Sequence, residues 1–196
     1  MTSPYNNKPK SEWKEITQKL IDKHPFSKDE IVKIVLDSWE AIFTSKIGKF
    51  HIGKEIFTSP QVLSFFLHEL VAHNFNLKYP GKFRVGTAKT DKDIHCIYDE
   101  NLSVEIKASS NKSQIFANRS YAQPATAAQR KNKDGYFIAV NFEQLTESKT
   151  NPDILVIRFG YIEHSDWIAQ FAATGQQARL STETYNLKFL TLYSKK

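Results

Sequence analysis

Apolar residues recur at helical spacing through the first third of the chain. Trp13, Ile16, Leu20 and Ile21 share one face of a helix predicted over 11–23, which Pro25 ends. Ser27 stands three residues before Glu30, the spacing of a capping box, and opens a second helix over 31–43 with Ile31, Ile34, Val35, Trp39 and Ile42 inward. Ser59-Pro60 supplies an N-cap and a proline at the first helical position. A third helix is predicted from there through Leu63, Phe66, Leu67, Leu70 and Val71. After the Pro80-Gly81 turn the period becomes alternating. A short strand is predicted over 83–86. Two more, over 93–98 and 102–108, are joined in a hairpin by Asp99-Glu100-Asn101. The stretch 109–118 is polar and loop-like. A helix is predicted over 121–131 with Pro124 in its first turn, buried strands over 136–141 and 154–159, a short helix over 166–172 and a final strand over 185–193. The packing solution is α/β, a mixed central sheet flanked by helices with an N-terminal helical layer.

The 196 residues suit one domain. Residues 1–10 are expected to be a polar tail that orders late or on binding, 11–78 the helical part, and 81–196 the sheet core with its loops. With 40% hydrophobic and 24% charged residues and a mean hydropathy of -0.47, the chain is globular rather than disordered. No apolar run approaches the roughly 20 residues of a membrane helix, and the N-terminus lacks the apolar core of a secretory signal. Cys96 is the only cysteine, which excludes an internal disulfide framework and a Cys-rich zinc site and favours the cytoplasm. The net charge of +6 agrees with a polyanionic partner.

Chemistry concentrates between Asp93 and Lys107. On a strand, Glu105 and Lys107 share a face, while Val104, Ile106 and Ala108 point to the other. Asp93 opens the partner strand, and the hairpin brings it back towards Glu105. Two carboxylates and an ammonium are what magnesium-assisted phosphodiester hydrolysis requires. The carboxylates hold a hard cation, and the lysine orients or deprotonates a water and stabilises developing charge. The acid-x-Lys element alone is weak, since Glu12/Lys14 and Glu147/Lys149 also have it; only Glu105/Lys107 lies on an alternating strand. From this pattern a nuclease centre and a hairpin with a solvated charged face fit equally well.

Asp93 followed by Glu105-Ile106-Lys107 after a hairpin resembles the catalytic core of PD-(D/E)xK nucleases, although Lys92 rather than proline precedes Asp93. The segments 89–93, 105–110 and 113–123 are similar to type II restriction endonucleases of the ScaI-like group. The resemblance implies a restriction-endonuclease-like fold with Asp93, Glu105 and Lys107 as catalytic residues and Mg2+ held by Asp93, Glu105 and Ile106. It also implies a homodimer cutting double-stranded DNA at a short palindromic site in a prokaryotic cytoplasm, with a cognate methyltransferase. In many such nucleases a helix acid upstream joins the metal; Glu69 is the candidate and Glu55 a weaker one. The alternatives are a repair or junction-resolving nuclease and a DNA-binding protein that does not cut.

For DNA contacts the candidates are Ser109, Ser110, Asn118, Arg119, Ser120, Tyr121 and Gln123, whose side chains suit base edges or phosphates, with Lys89 and Lys92 on the phosphate path beside Lys82 and Arg84. The polar stretch 174–179 reads better as a surface loop. His68 and His73 imitate a zincin signature, but their i, i+5 spacing turns them about 140° apart on a helix, which rules out that zinc site. His95 shares the face of Asp93 and reads better as structural.

Overall fold

The computed structural model describes residues 3–123, 131–172 and 174–195. Helices α1 (Lys10–Lys23) and α2 (Lys28–Thr44) form where the apolar spacing puts them. Ser27 accepts the Glu30 N–H and the Glu30 carboxylate accepts that of Ser27, completing the capping box. The same carboxylate takes the Tyr79 hydroxyl and the Lys78 ammonium, both at 2.8 Å. A small hairpin that the sequence did not suggest, β1 (Lys46–Ile47) and β2 (Phe50–His51), turns through Gly48 at φ 62. It leads to α3 (Pro60–Lys78), whose Ser59 cap accepts the Val62 N–H.

The strands β3 (Phe83–Val85), β4 (Ile94–Cys96), β5 (Val104–Ser109), β6 (Phe116–Asn118), β7 (Gly135–Phe142), β8 (Ile154–Ile162), β9 (Trp167–Ala169) and β10 (Gln177–Leu180) follow, then α4 (Thr182–Lys188) and β11 (Phe189–Ser194). The main sheet runs β11-β8-β7-β5-β4-β3, with β5 and β7 parallel and the other pairs antiparallel. Its central strand β7 is buried throughout and alternates between two cores. Tyr136, Ile138, Val140 and Phe142 pack with α1, α2 and α3; Phe137 and Ala139 pack with a second sheet, β6-β10-β9, and with Phe189.

Several elements differ from the sequence reading. The helix expected over 166–172 is strand β9, because buried Trp167 and exposed Ile168 alternate and pair with Leu180 and Arg179 of β10. The strand expected over 185–193 begins as α4, which Ser181 caps by accepting the Thr184 N–H at 3.0 Å. The loop over 109–118 contains β6, which pairs with β10. The strand expected over 93–98 stops at Cys96, where Asp99 caps a 3-10 turn over Glu100–Leu102. Of the helix expected over 121–131, residues 124–130 lie outside the described residues; Arg119–Ala122 forms a 3-10 turn. The tail is anchored, with Tyr5 only 4% exposed and its hydroxyl donating to the Tyr161 carbonyl. Among the described residues no helix is long and apolar enough to cross a membrane.

His24 closes the α1 end of the core among Phe26, Phe83, Tyr136 and Phe159. Its Nδ1 accepts the Phe26 N–H and its Nε2 donates to the Leu102 carbonyl, so the ring is neutral with its proton on Nε2. Burial lowers its pKa to about 4. The unfolded chain binds this proton near pH 6.5 and the folded chain does not, so stability is full above pH 6.5 and declines as pH falls towards 4. Between pH 7 and 5 the loss from this group is on the order of 2 kcal/mol. Urea unfolding at the two pH values checks it: His24→Gln should show a smaller loss than the wild type, and an equal loss would acquit His24.

Candidate active site

β4 and β5 share one ladder position, Ile94 opposite Val104, and then diverge. The Ile106 N–H on that open edge is met by a side chain: Asp93 Oδ2 accepts it at 2.6 Å. The N–H and C=O of one strand residue project to the same edge, so the Ile106 carbonyl also faces the Asp93 side. The connection is set by local bonds, with Asp99 capping the 3-10 turn and Ser103 Oγ accepting the Cys96 N–H at 2.9 Å.

Glu105 stands opposite Phe137 in the parallel pair and is 2% exposed. Its face was read as possibly solvated; the second sheet and Tyr121 cover it instead. Oε1 receives Lys107 Nζ and the Tyr121 hydroxyl, both at 2.5 Å. Lys131 Nζ is 2.6 Å from Oε2, so an ammonium group meets each oxygen of the carboxylate. Burial pushes the Glu105 pKa up, but the ammonium groups of Lys107 and Lys131 outweigh it and hold the carboxyl at about 2. Burial, then the Glu105 charge, pushes the Tyr121 phenol up, so it stays a donor.

Lys92 does not lie on a phosphate path. It is 6% exposed, its Nζ donates to the Asp134 carbonyl at 2.7 Å, and it sits over the Phe137 ring. Burial lowers its pKa to about 8, against the pull of Glu105. The reason for this inward course is space: Gly135, at φ 133, has no Cβ, and one built there would lie 2.1 Å from Lys92 Nζ. Arg84 is likewise committed, to Asp91 at 2.7 Å, while Lys89 is exposed. His95 approaches Asp91 at 3.5 Å, away from the carboxylate cluster, and Glu55 accepts the His51 N–H in its own turn.

Glu69 is not brought to the cluster. Its carboxylate is half-exposed and faces His73 at 3.9 Å. His68, one residue earlier and about 100° around the helix, is the α3 residue that faces the site, with Nδ1 3.9 Å from Asp93 Oδ2. Burial holds its imidazole below the usual range despite Asp93. His68 lies one turn from Ser64, whose hydroxyl donates to the Ala108 carbonyl. That spacing was the available signal.

An open cleft of about 690 Å³ runs past these residues, lined among others by Ser64, His68, Ser109, Ser110, Phe116 and Gln177. A hollow of about 260 Å³ shares Phe116 and Gln177 with it and reaches Lys107, Asn118 and Tyr121. Ser109, Ser110 and Asn118 thus line the walls, and Ser120 and Gln123 are exposed. Arg119 Nη1 donates to the carbonyls of Ala172 and Gly175, bracing the β9–β10 loop. The stretch 174–179, read as a surface loop, contributes Gln177 to the cleft opposite Asn118.

Residues 3–193 match the ScaI restriction endonuclease family. The chain is also similar to the type II restriction enzyme ScaI of Streptomyces caespitosus, with 39% identity over 194 residues, 98% of this chain and 85% of that protein. No solved structure matches the chain.

Gly135→Ala tests the seat of Lys92. The positive φ and the crowded ammonium are expected to cost on the order of 2 kcal/mol and to lower the melting temperature by several degrees. An unchanged melting curve would mean that neither constrains this position.

Proposed function

The chain belongs to the ScaI restriction endonuclease family and is a type II restriction enzyme; on that premise we propose that Asp93, Glu105 and Lys107 hydrolyse the phosphodiester bonds of double-stranded DNA with Mg2+. The observation that carries this reading is the convergence on one edge: Asp93 on Ile106 N–H, and Lys107 on the neighbouring buried Glu105. Restriction endonucleases use a divalent metal, and the donors here suit a hard one. Asp93, Glu105 and the Ile106 carbonyl would hold it, an all-oxygen donor set. Among the described residues no three His, Cys, Asp or Glu side chains form a cage. Much of the coordination then falls to water and phosphate, as magnesium prefers. When bound, the cation polarises the scissile phosphate and acidifies the attacking water.

The chain's own residues do the rest. Lys107, fixed against Glu105, orients the attacking water and offsets charge building on the phosphate. Tyr121 and Lys131 keep Glu105 ionised and in place. Ser109, Ser110, Asn118, Arg119, Ser120, Gln123 and Gln177 are the groups proposed to meet the DNA in the cleft, with Lys89 on a phosphate. A single nuclease domain acts as a two-fold homodimer, whose symmetry a palindromic site mirrors. Its place is a prokaryotic cytoplasm, beside a methyltransferase that protects the host site.

Plasmid and phage DNA incubated with Mg2+ should yield discrete fragments, none with EDTA. Lys107→Ala should cut at least about a hundredfold more slowly. Glu69→Gln should stay within about threefold of wild type, as a surface substitution. A smear in place of bands would contradict site-specific cutting, and full activity of Lys107→Ala would remove that residue from the chemistry.

A further inference from the structure

We propose that His68 is the positioning residue for Asp93, supplying from α3 a hydrogen-bond donor where a helix carboxylate was expected. The inference rests on the assignment of Asp93 to the metal site in the preceding section.

Three observations lead to it. The Ser64 hydroxyl bonds the Ala108 carbonyl at 3.2 Å and fixes α3 against the end of β5, and His68 lies one turn further on the same side. His68, which lines the cleft, then stands with Nδ1 3.9 Å from Asp93 Oδ2, each side chain a quarter exposed. That separation is too long for a direct hydrogen bond and suits one bridging water. The other ring nitrogen, Nε2, is turned inward and finds no hydrogen-bond partner among the described residues.

The inward nitrogen decides the tautomer. A buried N–H without an acceptor is rarer and costlier than a bare ring nitrogen. The proton therefore sits on Nδ1, the nitrogen that faces Asp93. Asp93 Oδ2 then answers to the Ile106 N–H directly and to His68 through the bridging water. Neither of these addresses Oδ1, which remains for a cation. One donor leaves a carboxylate free to swivel; two fix its plane. A glutamate in this position would instead add a third negative charge beside Asp93 and Glu105.

The rival role is packing, with the imidazole merely filling space between α3 and β5. Two substitutions separate the roles, because Asn puts an amide nitrogen where Nδ1 lies and Gln puts one where Nε2 lies. Mn2+ binding to the folded chain without DNA, followed by electron paramagnetic resonance, gives a readout independent of cleavage. His68→Ala and His68→Gln are expected to weaken binding about tenfold or more, and His68→Asn to stay close to wild type. Circular dichroism melts fix the temperature at which each variant is compared; should His68→Ala not fold, the Asn and Gln variants decide. Gln matching wild type while Asn fails would establish packing and overturn the proposal. Asp93→Asn is the reference. If it abolishes Mn2+ binding while every His68 variant binds normally, only the role of His68 fails. If it binds Mn2+ as wild type does, or if the wild type binds none at millimolar concentration, the assignment of Asp93 falls and this inference with it.

Discussion

A carboxylate inside a protein must be neutralised where it stands, and Glu105 stands inside. Removing one partner of such a buried charge typically costs about 3–5 kcal/mol, so its neighbours are bound to it in turn. Lys107 is on the same face of the same strand, Tyr121 comes from the turn after β6, and Lys131 from the segment before β7. Three parts of the chain thereby converge on one oxygen pair, and the second sheet closes over them. Lys92 adds its charge from within, in space left by the missing side chain of Gly135.

A second buried cluster shows what a closed network looks like. Lys188 is 2% exposed and bonds Glu163 at 2.9 Å and Asp166 at 2.8 Å, with Tyr5 and Trp13 rings over its ammonium. There the cation meets two carboxylates and ties α4 to the turn after β8. At Glu105 the proportions are reversed, and two ammonium groups and a phenol surround one carboxylate. The Lys188 cluster carries a surplus carboxylate and the Glu105 cluster a surplus ammonium.

Local signals marked the long elements. The Ser27–Glu30 box, the Ser59-Pro60 start and the apolar runs of β7 and β8 are each written in adjacent residues. The acid pair and the lysine were legible too, since period two puts Glu105 and Lys107 on one face. The small sheet was not, because β6, β9 and β10 are three or four residues long and exist through partners far away in sequence, such as Asn118 opposite Gln177. Nor was the choice between His68 and Glu69, which depends on a rotation of about 100° that polar neighbours on a helix do not reveal. Lys92 misled for the same reason: a lysine before an active site looks like a phosphate contact until the room beneath it is known.

The Tyr121 hydroxyl that grips Glu105 belongs to the run of residues that starts in β6 and walls the cleft. Asn118 at the wall and Tyr121 at the carboxylate are three positions apart, and Arg119 between them holds the β9–β10 loop. A displacement of this run at the cleft wall is carried to the buried carboxylate through the Tyr121 hydroxyl. Wall and carboxylate are thus joined by four consecutive residues, and neither can move far without the other.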